Sequence, residues 1–276
     1  MDITEKLTYR KIFLFWSPLA LTWLIMSIEQ PFLIAFIARL GDAKYNLAAF
    51  GIAGSFAMII EAPIIMLMSA STALVKGRNS YKKLKQFTDI LNAGITAIQL
   101  IILVPPVFNF IVVSLMGVPE EVARLAHIAF IIFIPWPAAI GYRRFYQGIL
   151  IRNNLTRRVT YGTMIRLSVI VVIGSILYIA GVKGAYVGAG AMSLAVVCET
   201  IATRIMVSFT LKKLVKQEDT ANGNLRLRSI AKFYFPLALT SILSLGVHPF
   251  VTFFMGRSYL PLESLAVLPV VSSMVF

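Results

Sequence analysis

Long apolar runs alternate with short polar, mostly basic ones along nearly the whole chain. A helix needs about 20 mostly apolar residues to cross a hydrocarbon core about 30 Å thick. Runs of that length are read at 12–38, 46–75, 87–115, 122–150, 158–181, 184–210 and 230–256, and an eighth begins near 262 and meets the chain end at Phe276. They lack the steady period-2 alternation of an outer-membrane barrel. The pattern predicts an all-α polytopic membrane protein with about seven spans and a truncated eighth. The first run is too long for the apolar part of a signal peptide and is read as a retained helix. Prolines punctuate the spans: Pro18, Pro31, Pro63, the pair Pro105-Pro106, Pro135, Pro137, Pro236 and Pro249. Each removes a helical hydrogen bond and favours a kink. They fit either irregular packing or helices bent around a substrate cavity.

Composition sharpens this picture. Of 276 residues, 58% are hydrophobic and 14% charged. A soluble domain carries about 25% charged residues. The chain cannot clothe a core with a water-facing surface, which excludes a soluble enzyme, a disordered tail and a disulfide scaffold. The single Cys198 excludes an intrachain disulfide and a cysteine-cluster metal site.

The net charge of +14 raises the question of nucleic acid, and its distribution answers it. With the N-terminus placed in the cytoplasm, 19 Lys and Arg residues fall on inner segments: three near the N-terminus, five at 76–85, five at 143–158 and six at 212–232. Five fall outside: Arg39, Lys44, Arg124, Lys183 and Arg257. This asymmetry is the positive-inside signature of a cell-membrane protein, and no nucleic-acid partner is expected. Membrane lipid is the partner such inner loops attract. Asn154-Leu155-Thr156 reads as a glycosylation sequon but falls on the inner side and is set aside.

The chain repeats itself. Pro-Leu-Ala-Leu-Thr occurs at 18–22 and again at 236–240, and a shift of 218 residues aligns 11–58 with 229–276 at 14 identities in 48 positions. Shared apolar composition alone gives about 4. Six spans lie between the copies, so both cross the membrane in the same direction. Parallel repeats of this kind build transporters with a path between two bundles.

Six-helix lobes in parallel pairs, each opening on a proline-bearing helix, resemble the MATE-like fold of the multidrug, oligosaccharidyl-lipid and polysaccharide exporter superfamily. The stretch from Arg166 to Glu199, with Gly181-Val182-Lys183-Gly184-Ala185, Gly188-Ala189-Gly190 and Cys198-Glu199-Thr200, is similar to the progressive ankylosis protein family. So is Glu29-Gln30 followed by Leu47-Ala48-Ala49-Phe50-Gly51-Ile52-Ala53. Members of that family are implicated in exporting pyrophosphate and small anionic metabolites. The resemblance implies a six-helix lobe at 1–210, a basic linker at 211–229 broken at Asn222-Gly223-Asn224, and the first two helices of a second lobe at 230–276. It also implies that the chain is a fragment of a protein of about 430–460 residues, short of its second lobe. On that reading 230–276 packs loosely beside the first lobe.

Chemistry is sought among ionisable residues inside spans, because a charge at mid-bilayer costs at least about 2.5–3.5 kcal/mol on insertion scales and needs a partner or water. These are Glu29, Glu61, Arg166, Glu199 and Arg204, the last close enough to the inner end to snorkel. Glu29 neighbours Gln30 and Pro31; a carboxylate beside a proline-freed carbonyl suits a cation or a proton. In MATE-type exporters an acid on the first helix couples ion entry to export, and Glu29 matches that role by resemblance. The repeat places Val247 at the equivalent position. Glu61, two residues before Pro63, is the second coupling candidate, and Gln30 and His248 are candidate polar cavity walls. Helical rise puts Arg166 and Glu199 at similar depths, which predicts a structural ion pair. Gly184, Gly188, Ala191 and Ala195 share the Glu199 face of their helix as a small-residue packing seam. His127 and Cys198 are read as packed residues. No phosphate-binding Gly-x4-Gly-Lys-Ser/Thr loop, no His-Glu-x-x-His and no nucleophile triad is found, so neither an ATP motor, an enzyme, a metal nor a cofactor is expected. The expected function is ion-coupled export or antiport of small solutes, anionic ones included, with proton or sodium as coupling ion. The rivals are a lipid-linked oligosaccharide or polysaccharide flippase, a membrane-embedded enzyme and a non-transporting membrane scaffold.

Overall fold

The computed structural model describes residues 8–216 and 225–275. The described residues form helices joined by short turns, with α1 Tyr9–Ala38, α2 Ala43–Glu61, α3 Leu67–Leu74, α4 Arg78–Ile102, α5 Pro105–Asn109, a π-helical turn Phe110–Leu115, α6 Glu120–Ile132, α7 Trp136–Arg152, α8 Thr156–Ile179, α9 Gly184–Leu214, α10 Leu227–Gly256 and α11 Pro261–Val275. Among the described residues, five helices are long and apolar enough to cross a membrane: α1, α2, α8, α9 and α10. Two bent pairs pass the same test together, α4 with 105–115 at 74° and α6 with α7 at 40°, which makes up to seven spans if each pair crosses as one. The expected span at 46–75 is α2 and α3 joined by a turn at 62–66. The internal repeat is visible in the element bounds: α10 starts and ends 218 residues after α1, and α11 starts 218 residues after α2.

Prolines do two different things. Pro18 and Pro31 lie inside a continuous α1, and Pro236 and Pro249 inside a continuous α10. At Pro63, Pro105-Pro106 and Pro135 the helix stops and restarts. A break inside a membrane leaves carbonyls that lipid cannot satisfy, so side chains must reach them. They do. His127 lies 2.8 Å from the Leu103 carbonyl, Gln99 donates to Phe133 at 3.1 Å, and Ser193 donates to Ile132 at 2.8 Å. At the third break Tyr234 and Ser241 of α10 donate to the carbonyls of Pro63 and Ala62. Thr160 of α8 donates to the Pro18 carbonyl at 2.7 Å. Polar side chains at 99, 127, 193, 234 and 241 are therefore the complement of the breaks.

Helix α2 is central and packs on α6, α9, α10 and α11, while α1, α8 and α9 form one side and α3, α4 and α7 the other. The outer faces carry exposed Trp16, Trp23, Leu24 and Ile28 on α1 and Phe235, Leu243, Val247 and Phe254 on α10, as lipid-facing helices do.

The expectation of loose packing for 230–276 is corrected. A Cβ placed on Gly51 of α2 would come within 2.7 Å of the Pro269 ring of α11, and one on Gly256 within 2.8 Å of the Met116 carbonyl. Arg257 donates to the Leu115 carbonyl at 2.8 Å, and Lys44 pairs with Glu263. The segment is seated on α2 by close backbone approach and by hydroxyl caps. Helices also extend into the expected linker, since α9 ends at Leu214 and α10 starts at Leu227. The break expected at Asn222-Gly223-Asn224 lies outside the described residues.

Candidate functional site

Four helices bring charge to one buried point. On α1 the buried positions Ile25, Glu29, Leu33 and Ile37 recur every four residues, so Glu29 sits on the inward stripe of an otherwise apolar helix. On α8 the stripe is Val159, Thr163, Arg166, Ile170 and Gly174. On α9 it is Gly184, Gly188, Ala191, Ala195, Glu199 and Thr203, and α7 contributes Arg143 and Gln147.

Arg166 grips Glu29 through both carboxylate oxygens, with a hydrogen bond from Nε to Oε1 at 2.9 Å and an ion-pair contact of Nη2 with Oε2 at 2.7 Å. Its remaining nitrogen, Nη1, lies 3.6 Å from Oε2 of Glu199. Glu199 is fully buried and also receives Arg143 Nη1 at 2.5 Å, Gln147 at 3.2 Å and Thr163 at 3.4 Å. The chain Glu29–Arg166–Glu199–Arg143 thus ties α1, α8, α9 and α7 together. All four residues are 5% exposed or less, where a charged side chain persists only with its partner. Gly162 of α8 lies against this cluster, with the place of a Cβ 3.3 Å from Thr203 Oγ1 and 3.5 Å from Glu199 Cγ.

The expected pairing of Arg166 with Glu199 exists as the longer of two contacts, and the bidentate partner of Arg166 is Glu29. The assignment of Arg143 and Arg144 to an inner loop is overturned, because both lie in the middle of α7 and Arg143 is 3% exposed. The signal was present: both fall inside the apolar run 122–150. Their removal from the inner count leaves 17 basic residues against five, so the asymmetry stands.

Arg144 faces the other way. It is half-buried, and its Nη1 lies 3.9 Å from the thioether sulfur of Met68. Its Nε is buried without a hydrogen-bond partner, and among the described residues no carboxylate lies within 4 Å of it. Glu61, at the α2 break, accepts the Trp136 indole N–H at 2.6 Å and is likewise in contact with no arginine. Mid-span charges therefore balance, Glu29, Glu61 and Glu199 against Arg143, Arg144 and Arg166, but only two on each side are in ion-pair contact.

Gln30 is half-buried on α1. His248, its counterpart in the repeat, lies at the α10–α2 contact, with Nδ1 3.1 Å from Ser55 Oγ, which is 2.7 Å from Thr252 Oγ1. The seam on α9 is a region of close approach. A Cβ on Gly188 would lie 2.7 Å from the Phe50 ring, and one on Gly184 3.0 Å from Ile37. Ala191 and Ala195 pack with Leu33 and Ile170. Arg204 sits over the Tyr146 ring at 5.3 Å.

The family model MatE matches residues 18–177, more than half of the chain and three of the four charged helices. The chain belongs to the MatE family. The MatE match spans the proline-bearing α1 with Glu29, the broken α2–α3, and Arg143 and Arg166. A solved structure described as the inward-facing conformation of a multidrug resistance MATE family transporter of the MOP superfamily superposes at a TM-score of 0.60 and is 18% identical. The match covers 87% of this chain and 56% of that one. The chain thus spans about half the length of the transporter it resembles, and its fold is that of a multi-pass MATE-like membrane protein.

Proposed function

We propose that this chain carries the coupling lobe of an ion-driven secondary transporter for small anionic solutes. The observation that carries the reading is the buried carboxylate–guanidinium chain on bent helices, with Glu29 at its α1 end. Four charged residues in a membrane interior cost more than packing alone requires, and intramembrane ionisable groups mark ion and substrate paths. Glu29 is the coupling carboxylate. Arg144, a guanidinium with no carboxylate within 4 Å among the described residues, meets the solute's negative charge. The similarity of 166–200 to the progressive ankylosis family supports the same solute class. A lipid-linked oligosaccharide flippase draws on the same arginines, but two of the three are already neutralised by carboxylates, which favours a small solute.

On this reading the protein lies in the cell membrane with its N-terminus cytoplasmic. The face of α10 that carries exposed Leu243 and Val247 is equivalent to the Ile25–Glu29 face of α1, and it receives a second lobe. A cysteine at exposed Lys83, in a Cys198→Ser background, should be labelled from the cytoplasmic side only.

The functional test is a panel of anions and cationic drugs in vesicles bearing an imposed proton or sodium gradient. Glu29→Gln should abolish gradient-driven efflux while the protein remains inserted. Arg144→Gln should lower anion efflux about tenfold, the worth of one charge-assisted hydrogen bond. Unchanged efflux in Glu29→Gln removes that residue from the mechanism, and efflux confined to cationic drugs rejects the anionic substrate class.

A further inference from the structure

The guanidinium of Arg166 stands where a coupling metal ion would have to stand. Both oxygens of Glu29 are already engaged by its N–H groups, at 2.9 and 2.7 Å. Hard cations are held by oxygen ligands, several at once. The nearest other carboxylate, Glu199, is taken by Arg143, Gln147 and Thr163 as well as by Arg166. The charged groups that face Glu29 are Arg166 from α8, Glu199 from α9 and Arg143 from α7. Helices α2 and α11 also pack on α1, but their acids are engaged elsewhere, Glu61 by Trp136 and Glu263 by Lys44. The net charge around Glu29 with every group ionised, counting those three and Glu29 itself, is zero. A metal cation added there meets two guanidinium groups and no free carboxylate oxygen. A proton needs neither space nor a ligand shell. It converts Glu29 to the neutral acid and releases Arg166, whose Nη1 is already 3.6 Å from Glu199.

We propose that Arg166 is a built-in counter-cation that excludes sodium from the Glu29 site, so that the site exchanges protons alone, and that Arg166 shifts its grip from Glu29 toward Glu199 when Glu29 is protonated. This rests on the reading of Glu29 as the coupling carboxylate. The proton balance is simple: one proton enters at a Glu29 oxygen, one ion pair opens, and no bond between heavy atoms changes.

The test compares sodium chloride with choline chloride at equal ionic strength, using purified protein in lipid nanodiscs and reading the thermal unfolding midpoint. Wild type should show no sodium-specific shift. Arg166→Gln should acquire one, since Glu29 loses its guanidinium, and Glu29→Gln/Arg166→Gln should lose it again. A structural role for Arg166 predicts lower stability in both salts alike and no gain of sodium response. A sodium-specific rise in wild type, or none in a folded Arg166→Gln, overturns the proposal.

Should Arg166→Gln fail to fold, infrared difference spectra of wild type decide. A protonated-carboxyl band should grow on acidification, be absent in Glu29→Gln and be indifferent to sodium. A band suppressed by sodium, or no Glu29-dependent band, overturns the proposal. Vesicle efflux separates the two levels. If a sodium gradient drives wild-type efflux and Glu29→Gln abolishes it, Glu29 is the coupling residue and the exclusion of sodium is wrong. If Glu29→Gln leaves efflux unchanged, the coupling reading itself falls.

Discussion

Glu199→Gln should destabilise the folded protein by about 3–5 kcal/mol, the cost of stripping one partner from a buried ion pair. Glu199 is fully buried and is the only carboxylate within 4 Å of Arg143 among the described residues. Without it, Arg143 is left charged in the membrane interior, and Arg166 keeps only Glu29. The mirror change Arg143→Gln should cost less, because Glu199 retains Arg166, Gln147 and Thr163. The double change Arg143→Gln/Glu199→Gln should recover most of the loss, since two neutral amides replace two charges. Unfolding of the purified variants in detergent, with the yield of monodisperse protein as a second readout, measures all three. A double variant as unstable as Glu199→Gln alone would show that charge compensation is not what Glu199 supplies.

The second large effect concerns a glycine. Gly148 lies where α7 crosses α3, and an added Cβ would sit 1.8 Å from Ser71 Oγ and 2.3 Å from the Met68 carbonyl oxygen. The hydroxyl can rotate, but the carbonyl belongs to the backbone of a helix that Gly148 itself helps to hold, by accepting a hydrogen bond from Thr72 at 3.2 Å. Gly148→Ala should therefore cost about 3 kcal/mol, the upper part of the usual range for overpacking. Gly54 provides the control. It lies in α2 with nothing within 4 Å of its would-be Cβ, so Gly54→Ala should leave stability unchanged or raise it by about 0.5 kcal/mol. Equal behaviour of the two variants in the same unfolding assay would contradict the close α3–α7 contact.

Residues differ in how far their sequence context betrays them. Glu29 and Glu199 stand out because an acid inside a long apolar run has no cheap explanation, whatever the fold. Arg166 does too, but its bidentate partner lies 137 positions away, and helical depth alone cannot say which of two acids at similar depth it meets. Arg143 and Arg144 were hidden by a counting rule. An arginine a few residues from the end of an apolar run reads as a loop anchor, and only the packing of α7 against α9 shows Arg143 turned inward. The polar residues that serve broken helices, Gln99, His127, Ser193, Tyr234 and Ser241, look like scattered polar positions until the breaks they cap are seen.

By itself, the sequence determined what depends on the membrane as a solvent. Span positions, the all-helical class, the basic asymmetry and the 218-residue repeat all follow from apolar length, charge placement and self-similarity, which need no knowledge of neighbours. The α1–α10 correspondence, residue for residue at both ends, is the plainest case. Tertiary structure alone decided three things. One is which prolines break a helix and which are absorbed. At each break a side chain from another part of the bundle donates to an open carbonyl, at Ala62, Pro63, Leu103, Ile132 and Phe133. Another is that 230–275 clasps α2, through contacts between residues about 170–220 positions apart whose worth lies in shape and hydroxyl placement rather than hydropathy. The last is the pairing of Arg143 and Arg166 with Glu29 and Glu199, because a guanidinium chooses its carboxylate by distance and geometry inside the packed bundle, and those are set by helix crossings that no single helix encodes.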